Sequence, residues 1–110
     1  MSDIDSAKRA LEGVLETVKG LKEMKEEERK SLMARTQSAY SIVAQNEKKI
    51  WLRTSVGKAM VSDLNSSSDR LLRAVGRFGD AAELGAAMAD VEAQTRRIEE
   101  ETRRRSMVVT

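Results

Sequence analysis

The side chains of this 110-residue chain that could do chemistry are carboxylates, cations and hydroxyls, because histidine and cysteine are both absent. Their absence removes the usual carriers of proton transfer near neutral pH, covalent catalysis and transition-metal binding. Paired carboxylates such as Asp3/Asp5 and Glu99/Glu100 are the acid–base candidates that remain. A catalytic carboxyl needs burial or a charged neighbour to move its pKa. Both pairs lie in charge-rich stretches that read as solvated helix faces. Gly76, Gly79 and Gly85 form no phosphate loop, since no strand precedes them and no Gly-Lys-Ser/Thr follows. No metal-ligand spacing occurs, and no Asp-rich twelve-residue calcium loop. The expectation is a non-enzymatic protein with no catalytic residue, metal, cofactor or small-molecule substrate.

Cations offer more. Arg70, Arg73 and Arg77 are spaced three and four apart and line one strip of a helix. That strip lies roughly 150° around the helix from the Leu71–Val75–Phe78 face and points to solvent if that face is buried. Three guanidinium groups one turn apart suit phosphates or a complementary acidic helix. The plainer alternative is a solvated face with local pairs such as Asp69 and Arg73. The segment Lys48-Lys49-Ile50-Trp51-Leu52-Arg53 mixes cations with a tryptophan and two aliphatics. It suits a membrane interface, although a core tryptophan explains it more simply.

The net charge of +2 is unevenly spread. Residues 1–30 and 81–110 each carry −1, and residues 31–80 carry +4 together with all three aromatics, Tyr40, Trp51 and Phe78. An anionic partner would meet that middle segment. The charge is low for a dedicated nucleic-acid binder, and the aromatics offer no stacking platform.

These residues are positioned by helices. The chain has no proline, and apolar side chains recur three and four apart almost throughout. Ile4, Ala7, Leu11, Val14, Val18 and Leu21 form the first stripe, after a Ser2 cap with Asp5 three residues on. Leu32, Ala39, Val43 and Ile50 form the second, with polar Thr36 and Asn46 in line. Those two either set the register of a coiled coil or mark an imperfect stripe. Ile42 and Leu52 fall off this stripe and are expected to meet a further helix or a partner. Met60, Leu64, Ser67, Leu71, Ala74 and Phe78 make the third, and Ala81, Leu84, Met88, Val91, Thr95 and Ile98 the fourth.

Breaks are expected near residues 22–30, at Thr54–Gly57 and at Gly76–Gly79, where Asp80 and Glu83 form a capping box. Residues 3–53 fit either one bent helix or two. Asn65–Asp69 reads as a short loop or a polar helical turn. On the last helix, Glu99, Glu100 and Glu101 each precede an arginine by four, the favourable order for ion pairs.

The expected fold is all-α, one helical domain over residues 1–110, built as a three- or four-helix bundle or an elongated hairpin with coiled-coil-like stripes. Approximate helices are 3–28, 30–54, 58–77 and 81–105, followed by a loose tail 106–110. No signal peptide or membrane-spanning run is visible, so a cytoplasmic or other intracellular site is the default. The expected function is assembly or adaptor work through helix–helix packing with a second copy or another helical chain. The partner-facing residues are Arg70, Arg73, Arg77, Trp51, Leu52 and Ile42. The alternative is an adaptor for an anionic surface, acidic membrane or nucleic acid, through the basic middle.

Overall fold

A computed structural model describes residues 3–77 and 81–108. The expected caps at Ser2 and Asp80, and the place of Phe78 in the third stripe, lie outside the described residues. Four helices account for most of the chain: α1 (Asp3–Lys19), α2 (Glu26–Asn46), α3 (Ser55–Gly76) and α4 (Ala81–Val108). A 3₁₀ turn, Ile50–Arg53, sits between α2 and α3. There is no strand among the described residues, and no described helix is long and apolar enough to cross a membrane.

Side-chain pairs give the helix directions. Lys8 meets Glu47 and Glu12 meets Tyr40, so α1 and α2 are antiparallel. Arg70 meets Glu83, Ser67 meets Asp90 and Asp63 meets Arg97, so α3 and α4 are antiparallel. Thr36 meets Met88 and Asn46 meets Thr102, so α2 and α4 run parallel. It follows that α1 and α3 are parallel too. Each helix packs on two neighbours, in the ring order α1, α2, α4, α3. The packing is consistent with a four-helix bundle, about 50 Å long and 20–24 Å across.

The four stripes meet in one core. Leu11, Val14, Val18, Val43, Leu64, Leu71, Val75, Met88, Val91 and Ile98 are fully enclosed. Each such aliphatic side chain contributes roughly 1.5–3 kcal/mol relative to exposure. Most polar side chains in the core find partners, Ser68 being the exception: Thr36 donates to the Met88 sulfur, and the Asn46 amide donates to the Ile42 carbonyl. Buried Ser67 pairs with the Asp90 carboxylate across α3 and α4.

Several element boundaries differ from the sequence expectation. α1 ends at Lys19, and Gly20 and Leu21 close its last turn with tight hydrogen bonds to Thr17 and Val18. α2 then begins at Glu26, so residues 3–53 form two helices and a 3₁₀ turn rather than one bent helix. The acidic run Glu26–Glu28 is the first turn of α2, where carboxylates favour the positive end of the helix dipole. Asn65–Asp69 is a helical turn inside α3. Residues 106–108, expected as part of a loose tail, continue α4.

The largest difference lies between α2 and α3. The helix stops at Asn46, before the expected break, because α2 and α3 are diagonal in the ring and the chain must cross the bundle end. The crossing reverses the apolar pattern. Ile50, expected in the second stripe, is 81% exposed, whereas Trp51 and Leu52 are each only 8% exposed and join the core. Gly57, expected as a break, lies in the first turn of α3 under the Thr54 cap. A Cβ there would sit 2.4 Å from the Trp51 carbonyl oxygen, so only glycine allows the crossing segment this close.

Candidate interaction surface

The three arginines come together as expected from their spacing. They line a shallow cleft of about 370 Å³ between the end of α3 and the start of α4, with Ala74 and Glu83. Glu83 accepts two hydrogen bonds from Arg70, at 2.9 and 3.3 Å, and holds the Arg70 pKa above its ordinary value. Arg73 and Arg77 are exposed, and among the described residues no carboxylate forms an ion pair with either. The local pair Asp69–Arg73 does not form. Two of the three guanidinium groups are thus held on one strip with their donors open to solvent.

Trp51 and Leu52 are placed differently. Both are core residues, so neither is presented to a partner. The Trp51 indole N–H donates to the Thr102 hydroxyl at 2.9 Å, and that hydroxyl donates onward to the Asn46 side-chain carbonyl at 2.6 Å. The Arg105 guanidinium lies 5.2 Å from the centre of the indole ring, a cation–π contact. Arg105 is held there by Glu101, which also pairs with Arg104; these hydrogen bonds, that from Arg104 foremost, depress the Glu101 carboxyl pKa. The other two expected pairs, Glu99–Arg103 and Glu100–Arg104, do not form. Ile42 is half-buried beside a groove along α2 and α4 that also includes Ala39 and Thr95. Arg35 and Glu92 clamp that seam with two hydrogen bonds, which raise the arginine pKa and lower that of the carboxyl.

One surface was not anticipated from sequence. Ala82, Ala86, Ala89 and Ala93 are all exposed. At 100° per residue they fall within a narrow sector opposite Leu84, Met88, Val91 and Ile98. One long edge of this stripe, near its start, carries Glu27 and Glu28 of α2, which border a 400 Å³ groove with Met24, Leu32 and Gly85. The opposite edge carries Arg73 and Arg77. The spacing of the alanines, four, three and four, is legible in the sequence. Alanine does not stand out there because it is also an ordinary helix filler.

Comparison with protein-family models, curated proteins and solved structures found no match to this chain. Among the described residues no cluster of three or more acidic side chains could hold a metal ion.

Proposed function

We propose that the chain is a non-enzymatic assembly protein that packs helix against helix with a second copy of itself. The observation that carries this is the outer face of α4: small side chains with Glu27 and Glu28 on one edge and Arg73 and Arg77 on the other. The remaining charges of the two grooves, Arg35 and Glu83, are paired with Glu92 and Arg70. Alanine lets two helices approach toward the short end of the roughly 8–10 Å range of packed axes. The flanking charges select the arrangement. A two-fold axis parallel to α4 sets the Glu27/Glu28 edge of one copy against the Arg73/Arg77 edge of the other, twice over. This is an isologous, closed contact. An axis perpendicular to α4 would put like-charged edges on the same side, so the parallel arrangement is favoured. The coiled-coil-like stripe is then the alanine seam, with charged flanks fixing its register.

Sedimentation equilibrium tests it. The wild-type chain should show twice the monomer mass at micromolar concentration, and Ala86→Arg should show a single chain with unchanged helicity. Arg73→Glu with Arg77→Glu should also dissociate it, and adding Glu27→Arg with Glu28→Arg should restore the dimer. A wild-type monomer across that range overturns self-assembly and leaves another helical chain as the partner to seek.

A further inference from the structure

The opposite end of the bundle supports a second contact of a different kind. We propose that the crossing segment between α2 and α3, with the first turn of α3, docks on an anionic lipid bilayer. Ile50 and Val56 are 81% and 51% exposed, and they are the two large exposed hydrophobic side chains among the described residues. Both lie here. Around them stand Lys48, Lys49, Arg53 and Lys58, all exposed, and none has an ion-pair partner among the described residues. No acidic residue occurs between Glu47 and Asp63, and Glu47 is tied to Lys8 at 2.8 Å. Other acids at this end are Asp5 of α1, which acts on Lys8, and Glu99, Glu100 and Glu101 of α4. Glu101 is bound by Arg104 and Arg105, and the neighbouring Arg103 adds a further cation.

An aliphatic side chain held in water is unfavourable, so its fixed exposure needs a reason. Here the exposure is built in. Trp51 and Leu52 are buried, the indole is hydrogen-bonded to Thr102, and Gly57 packs against the turn. These contacts hold the 3₁₀ turn with Ile50 facing out. The combination of a protruding aliphatic with unpaired cations fits the headgroup region of an acidic bilayer. There the apolar side chain enters the acyl boundary and each cation nearby adds attraction. Nucleic acid accounts for the cations but gives Ile50 nothing to bury against, and among the described residues no fully exposed aromatic stands ready to stack on bases.

This surface is at the far end of α4 from the Arg73/Arg77 edge, so it stands whether or not the chain dimerises. In the parallel dimer both copies would present it in the same direction.

Vesicle flotation with the full chain tests the proposal, using phosphatidylcholine vesicles with and without one-third phosphatidylserine. Binding should require phosphatidylserine and fall steeply with salt. Ile50→Ser should weaken it about tenfold, the loss of one buried aliphatic side chain. Lys48→Glu with Lys49→Glu should abolish it. Circular dichroism should give the same melting temperature for these exposed-site variants as for wild type. Ala86→Arg, monomeric by design, should still float with the vesicles, though more weakly, which separates this result from the fate of the dimer. No flotation, or flotation indifferent to Ile50→Ser, overturns the proposal. Binding to a DNA duplex instead of vesicles would assign the cations to phosphate recognition and overturn it equally.

Discussion

At the end where α2 and α4 begin, arginines share the surface with glutamates around small side chains. At the end where α2 crosses to α3, lysines and arginine surround an exposed isoleucine, with the neighbouring glutamate already neutralised. Both ends carry cations, and the partners proposed for them differ. In the proposed dimer the mixed charge along the alanine seam is complementary, because rotating the surface brings each sign against the other. Charge of one sign beside a protruding apolar group repels its own copy and favours an anionic sheet. What differs is the arrangement of counter-charges, which the chain's overall +2 does not reveal.

The two ends also differ in how firmly the backbone is tied, and substitutions can break that contrast. The largest effect is expected from Trp51→Ala. It removes an aromatic plug, the bond to Thr102 and the contact with Arg105. The loss should be about 3–5 kcal/mol in urea unfolding. A loss under about 1 kcal/mol would mean that the crossing segment is not anchored through its indole.

Next in size is a pair of glycine substitutions with opposite signs. Gly57→Ala forces a methyl into backbone atoms 2.4 to 2.7 Å away and should cost about 1–3 kcal/mol. Gly85→Ala, at the other end, meets nothing within 4 Å and should stabilise α4 by about 0.5–1 kcal/mol. Equal changes at the two sites would erase the distinction between a tightly tied end and an open one.

The smallest effect concerns the seam between α2 and α4. Glu92 has its carboxyl pKa lowered, chiefly by its hydrogen bond from Arg35. A lowered carboxyl pKa contributes stability above the unfolded carboxylate range, and that stability is lost as pH falls through the folded value. Thermal melts should therefore decline as pH falls below about 5, and Glu92→Gln should flatten part of that decline. An unchanged acid limb in the variant would show that the Arg35–Glu92 clamp adds nothing to the seam.

Much of the helical structure was legible from residue spacing. Most of the first, third and fourth stripes is buried as three-and-four periodicity requires (Ile4–Val18, Leu64, Ser67, Leu71 and Leu84–Ile98), whereas Leu21, Met60 and Ala74 are only half-buried and Ala81 is exposed. The arginine strip was legible too, because Arg70 and Arg73 in the last turns of α3 and Arg77 at its C-cap keep their relation whatever the helix packs against. Where α1 ends was not. Gly13 and Gly20 are both weak helix formers, and nothing local says that the chain turns at the second. Ile50 and Leu52 were misplaced for a related reason. Their projected faces assumed a helix continuing beyond Asn46, and once it stops, every later angle is lost.

The sequence by itself determined that the chain would be helical, which faces of its helices would be apolar, and that histidine and cysteine chemistry were closed to it. These follow from composition and from periodicity within single elements, which are local properties. Only the tertiary structure decided that α2 and α3 lie on a diagonal. That arrangement makes the chain cross the bundle end, turning Trp51 and Leu52 inward and Ile50 outward. It also set Glu27 and Glu28 on one side of the α4 alanines and Arg73 and Arg77 on the other. Those residues are some fifty positions apart in the chain, and no periodicity within one helix can tell which neighbour another helix will choose.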